Sequence, residues 1–158
     1  MKTKIFYLGD DEMKIVESYK YLGLILDTNF SFKAHLEKVT DKARKRMNAL
    51  CTMGLSKEIS AKAILRGWGV LVRPIMEYGA EIWGEKKWKE GEGLQNEMGR
   101  RVLGVSRLTT KEVIQGELGL QSVKSRRSFL RIKFWIKILK TDENRLVYKI
   151  YKQRRKIL

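Results

Sequence analysis

The sequence predicts a mainly α protein: a multi-helix bundle with a short N-terminal antiparallel β-hairpin or small sheet. Three observations lead there. β-prone runs are confined to the first 27 positions. From residue 31 onward, apolar residues recur every three or four positions in several separate runs. Gly54, Gly104 and Gly119 stand where three of those runs end, as helix stop signals do.

Residues 4–8 and 13–16 are short β-prone runs around Gly9-Asp10-Asp11-Glu12, and residues 19–26 read as a third strand of one small sheet. Three short strands are marginal alone and need helices packed on them, or a larger sheet to extend. Ser31 is placed to cap a helix whose apolar stripe is Phe32, Leu36, Val39, Ala43, Met47 and Leu50, ending at Gly54. Ser56 opens a second helix through Ile59, Ala63, Ile64 and Leu71, which Pro74 is expected to kink or break near Arg73. Gly67 and Gly69 weaken it by about 1 kcal/mol each relative to Ala.

Residues 75–83 continue as helix or extended chain, and the stretch "GEKKWKEGEG" reads as a polar loop. Leu94, Met98 and Val102 mark a third helix closing at Gly104. Thr109 or Thr110 caps a short helix to Leu118, Ser122 opens a long one, and a last helix is expected from Asp142 to the end.

The chain carries 34 Lys and Arg against 18 Asp and Glu, a net charge of +16, which implies a polyanionic partner such as nucleic acid. Residues 122–158 hold thirteen of these cations against Asp142 and Glu143, a net of +11, leaving +5 for residues 1–121. A single cysteine, Cys51, excludes an internal disulfide, and with a single histidine, His35, there is no zinc-ligand set. No uncharged run approaches the roughly 20 residues that span a bilayer, and no apolar signal core opens the chain. The expected setting is therefore intracellular, nuclear or cytoplasmic, with no membrane and no small-molecule substrate.

Gly9-Asp10-Asp11 raises the question of a two-metal polymerase turn. That chemistry needs a further carboxylate on a separate, earlier strand, and only nine residues precede Asp10. Gly9-Asp10 is therefore read as a tight two-residue turn, whose residue types tolerate positive φ. Cys51 has no partner histidine expected nearby, and His35 reads as an ordinary exposed helix residue. No catalytic residue, no metal ligand and no cofactor is expected in this chain.

The basic residues carry more. At about 100° per residue, a helix over 122–140 places Arg126, Lys133, Lys137 and Lys140 on one stripe about 60° wide. Ile132, Trp135, Ile136 and Leu139 fall on a second arc, with Phe134 and Ile138 on a third. The expectation is a helix buried on two sides with a cationic seam suited to a phosphate backbone. Arg127 joins that segment. In the last helix Leu146, Val147, Ile150 and Tyr151 oppose Arg145, Lys149, Lys152, Arg155 and Lys156, and the apolar side is expected to close the core. Arg100-Arg101 and Lys42/Arg44/Lys45/Arg46 form secondary patches. Trp68, Trp83 and Trp135 are expected in packing, and Trp88, between Lys87 and Lys89, as a candidate for base stacking.

Four segments, "YKYLGLILDTNFSFKAHLEKV", "RPIMEYGAEIWG", "LQNEMGRRVLGVSRLTT" and "GELGLQSVKSRR" with a following "KFWIKIL", stand in order between residues 19 and 139. Together they resemble the region after the polymerase active site in non-LTR retrotransposon (long interspersed element) reverse transcriptases. The resemblance implies that residues 1–28 are end-of-palm strands, with Tyr21, Leu22 and Gly23 on a strand near the primer terminus. It makes residues 29–158 a thumb-like, basic region that grips RNA, DNA or an RNA–DNA hybrid. The family's Tyr-x-Asp-Asp turn is absent, so the Mg2+ that the family uses has no expected site here, and the rest of the palm and fingers becomes an expected partner. Gly67-Trp68-Gly69 departs from the plain helix formers usual at that place in the family. With Met1 falling inside a domain, the chain reads as a fragment or remnant of such an enzyme. The alternative is a free-standing basic helical adaptor for an acidic protein or lipid surface.

Overall fold

The structure, a computed structural model, describes residues 6–53 and 59–155. The fold is mainly helical with antiparallel β-structure at the N-terminus. Two separate hairpins replace the single sheet expected. β1 (Phe6–Leu8) pairs with β2 (Asp11–Met13) across Gly9-Asp10, and β3 (Ser18–Tyr21) pairs with β4 (Leu24–Asp27) across Leu22-Gly23. The run over 19–26 is thus a hairpin and not one strand. Its reason is local: Leu22 and Gly23 both take positive φ, 46° and 90°, the twist a two-residue hairpin turn needs.

Asp27 ends β4 and ties the chain to the first long helix, α1 (Lys33–Met53). Its carboxylate accepts from the backbone N–H of Ser31 at 2.7 Å and of Phe32 at 3.0 Å, and from the Ser31 hydroxyl at 2.6 Å. Those bonds, the Ser31 hydroxyl first, hold the Asp27 carboxyl below its ordinary range. The capping expected of Ser31 alone is therefore shared, and the carbonyl of Phe32 accepts the first helical bond, from Leu36. The stripe read from the sequence is buried from Phe32 through Leu50. Gly54 and Ser56 lie outside the described residues.

α2 (Ala61–Gly67) is capped by Ser60, whose side chain accepts from the Ala63 N–H. The chain does not break at Pro74. It passes through a π-helical turn, Trp68–Val72, into α3 (Arg73–Glu77). Pro74 lacks an N–H and its ring crowds the carbonyl four residues back, so a wider turn just before it relieves the conflict. That turn also sets the buried face. Ile64, Trp68, Val72 and Met76 recur at strict four-residue spacing, and the wide turn keeps them in line. Ile59, Ala63 and Leu71, expected inside, stay exposed.

Gly79 (φ 67°) turns the chain into α4 (Ala80–Trp83). The supposed loop over 84–93 is half helix: α5 runs Lys89–Leu103, with Glu90 and Glu92 in its first turn where the helix dipole favours them. α6 (Lys111–Leu118) follows Thr110 and ends at Gly119, and α7 (Val123–Leu139) is capped by Ser122, as the sequence indicates. α8 (Leu146–Arg155) starts four residues later than expected, because Asp142 accepts from the Asn144 N–H in a turn instead of capping the helix.

α1 packs along α5, the segment from α2 to α3 crosses α1, and α4 lies on the N-terminal half of α7. At the centre Trp83 meets His35 and Trp88 edge-on, with ring centroids 5.7 and 5.5 Å away. The second hairpin is fastened to this core: Leu24 is buried, and the Tyr78 hydroxyl donates to the Leu22 carbonyl at 2.5 Å. The first hairpin exposes Phe6, Tyr7 and Met13. Hydrogen exchange should separate the two, with rapid exchange across residues 6–13 and slower exchange at residues 24–26. Equal protection of both hairpins would contradict this arrangement.

Candidate nucleic-acid interface

On α1, His35, Lys38, Lys42, Lys45 and Arg46 follow one another at helical spacing and share a face beside the buried stripe. That face forms one wall of a groove of about 770 Å3. The other wall is Gly23 of the second hairpin's turn together with Pro74, Ile75 and Tyr78. No carboxylate lines the groove, and none of its four long cations has an ion-pair partner among the described residues. Four adjacent positive charges over an apolar floor suit an extended anion whose backbone is charged and whose faces are flat.

His35 sits at the inner end and is buried, contrary to the exposed position expected. Its Nδ1 accepts from the Ile25 N–H at 3.4 Å, which fixes the proton of the neutral ring on Nε2. Burial first, and the Lys38 charge second, push its pKa below the ordinary 6.5, so the ring is neutral at pH 7. It therefore adds no charge to the groove in its free state.

The cationic seam expected on α7 is divided. Arg126 forms a two-pronged ion pair with Glu77 of α3, one contact being very short and the other 3.1 Å. Arg127 is buried: it donates to the Lys86 carbonyl at 3.0 Å, and its guanidinium lies 5.4 Å from the Trp83 ring centroid and 5.6 Å from that of Trp88. Both arginines are internal connectors. Lys133, Lys137 and Lys140 on α7, and Lys149, Lys152 and Arg155 on α8, are exposed as expected. Lys156 lies outside the described residues.

The second apolar arc of α7 and the apolar residues of α8 do not close the core. Ile132, Trp135, Ile136 and Leu139 are exposed, and so are Leu146, Val147 and Ile150. Of the third arc, Phe134 is exposed as well and Ile138 is half-buried, so α7 meets the core only through Val123, Arg127 and Leu130 in its N-terminal half. Helical projection separates faces correctly but does not say which of two apolar arcs meets the core.

The remaining expected site residues are tied down as well. Arg100 donates to the Thr109 carbonyl at 2.9 Å, and Arg101 reaches Glu97 at 2.6 Å and Asn48 at 3.0 Å. Arg44 pairs with Glu97 at 2.9 Å, which leaves Lys42, Lys45 and Arg46 of that patch for the groove. Trp88 is buried, with its Nε1–H on the Thr40 hydroxyl at 3.0 Å, so it offers no free face to a base. Tyr21 and Leu22 are exposed at the second hairpin, and Gly23 lines the groove, on a turn and not on a strand.

Lys38 was the residue missed. Its signal is the recurrence of cations at 38, 42, 45 and 46 on one side of the apolar stripe, with Asp41 at the edge of that face. Asp10, at the tip of the first hairpin, is exposed; among the described residues no cluster of three His, Cys, Asp or Glu is placed to hold a metal ion. Cys51 is buried, and burial pushes its thiol up, away from the thiolate that nucleophilic chemistry requires. Among the described residues no helix is long and apolar enough to cross a membrane. No family model, no curated protein and no solved structure matches this chain.

Proposed function

We propose that this chain binds a nucleic-acid duplex as the thumb-like part of a non-LTR retrotransposon reverse transcriptase, without catalysing polymerisation itself. The observation that carries the reading is the row Lys38, Lys42, Lys45 and Arg46 along an open groove with no carboxylate on its walls. Each phosphate such a cation neutralises releases condensed counterions, which makes binding favourable and steeply salt-dependent. The second hairpin reaches that groove through Gly23, so on this reading the segment the resemblance sets near the primer terminus stands beside the bound duplex. Exposed Lys133, Lys137, Lys140, Lys149, Lys152 and Arg155 extend the positive field along α7 and α8.

The test is binding of a labelled RNA–DNA hybrid by the intact chain at several salt concentrations. A log–log slope of about three units or more is expected, with comparable affinity for unrelated sequences. Nucleotide incorporation in the presence of Mg2+ is expected to be nil. A flat slope would remove the phosphate-gripping role; incorporation abolished by Asp10→Asn would make the chain an enzyme instead.

A further inference from the structure

The fold uses α7 through Val123 and Leu130 and leaves its outer apolar face uncovered. On the outer face Phe129, Ile132, Ile136 and Leu139 are spaced three, four and three residues apart, the a/d pattern of a helix that packs against another helix. These four side chains are between 40% and 61% exposed, and Trp135 beside them is 50% exposed. A contiguous apolar strip of this size, rimmed by charge, marks an interaction surface. Lys133 and Lys140 each follow a d residue, in the flanking e positions, and no described carboxylate pairs with either.

We infer that the outer face of α7 docks an acidic amphipathic helix of a partner protein. Charge selects that occupant. The partner must present an apolar stripe of its own with Asp or Glu beside it, opposite Lys133 and Lys140. A second copy of this chain would bring like charges together: residues 128–155 hold nine Lys and Arg against Asp142 and Glu143 alone. A bilayer is disfavoured by the layout beside the strip, because the free lysines of residues 129–140 lie on one flank only, and Lys124 on the other flank precedes the strip by five residues. On the other flank Arg131 is engaged with Glu85 at 3.0 Å. A helix lying flat on anionic lipid keeps cations on both sides of its apolar strip.

The probe is a synthetic peptide of about four heptads with Leu at a and d and Glu at the flanking positions, which repels itself and so remains monomeric. A scrambled peptide of the same composition is the control. The intact chain should bind the patterned peptide saturably and at least about tenfold more tightly than the scrambled one. Ile132→Ser with Ile136→Ser, which adds no charge, should abolish that preference while leaving helicity and RNA–DNA hybrid binding unchanged. Lys133→Glu with Lys140→Glu should reverse the choice, favouring a peptide with Lys at the flanking positions.

The proposal is overturned if the patterned peptide does not bind, if both peptides bind alike, or if the isoleucine variant keeps the preference. It is equally overturned if the isoleucine substitutions instead abolish binding to vesicles containing phosphatidylserine, or convert a dimer of this chain to a monomer. Loss of hybrid binding in otherwise unaltered wild-type chain would count against the nucleic-acid reading and not against this surface.

Discussion

Trp83→Ala is expected to cost about 3–5 kcal/mol, the range for deleting a large aromatic ring from a packed core. Few substitutions in this chain should cost more. Trp83 is fully buried, and its Nε1–H donates to the Tyr78 carbonyl at 2.9 Å. Its ring supports Trp88 and His35 edge-on and one face of the Arg127 guanidinium. Removing it opens a cavity, leaves the Tyr78 carbonyl without that donor, and takes away one of the two rings against which Arg127 lies. Burial already lowers the Arg127 pKa, so the loss of ring contacts falls on a charge that has been taken out of water. Against a net stability typically of about 5–15 kcal/mol, the variant should be partly unfolded or close to it at 37 °C. Trp135→Ala is the comparison. With half of its surface exposed, it should cost less than about 1 kcal/mol. Urea denaturation of both variants decides the point, and equal midpoints would show that the Trp83 cluster is not the centre of the core.

Nothing in the sequence separates those two tryptophans, because both stand among apolar neighbours at helical spacing. The burial of α1 was legible since one long helix with large apolar residues on a single stripe has only one way to face a core. The second hairpin was hidden because the usual sign of a two-residue turn is Asn-Gly or Asp-Gly, and here Leu22 occupies the first position. Tyr78, 56 residues away, helps hold that turn through its hydroxyl. The start of α5 was hidden for a similar reason. Gly91 reads as a loop residue, yet a Cβ there would lie 2.5 Å from the Trp88 ring, so the glycine is a packing residue inside a helix. Gly67 follows the same rule, since a Cβ there would lie 2.5 Å from Leu50, whereas Gly69 has open space around it.

The candidate site was legible in kind and not in place. Net charge pointed to a polyanion, and charge density pointed to the C-terminal segment. Which cations are free is decided by distant partners: Glu77 takes Arg126, and the Lys86 carbonyl with two indole rings takes Arg127. Residues 39 to 49 positions apart in sequence supply those partners. The weaker patch on α1 keeps its charges because no carboxylate faces it across the groove.

Replacing Lys38, Lys42, Lys45 and Arg46 together by Gln should therefore weaken RNA–DNA hybrid binding by about a hundredfold at moderate salt and reduce the salt slope by about three units. Gln is nearly as good a helix former as Lys or Arg, and all four side chains lie at least partly in solvent, so α1 should remain folded. Lys62→Gln with Lys111→Gln, exposed on α2 and α6, should change both quantities far less. His35 supplies a second readout that does not depend on affinity. It is the only histidine in the chain, and Lys38 contributes to its lowered pKa. Lys38→Gln should raise that pKa, and hybrid bound in the groove should raise it further in the wild-type chain, since nearby phosphate favours the charged ring. Both shifts are measurable from the imidazole proton resonances. If the quadruple variant stays helical and binds hybrid with an unchanged slope, the phosphates lie elsewhere. A His35 titration indifferent to saturating hybrid would place them outside this groove by a separate route.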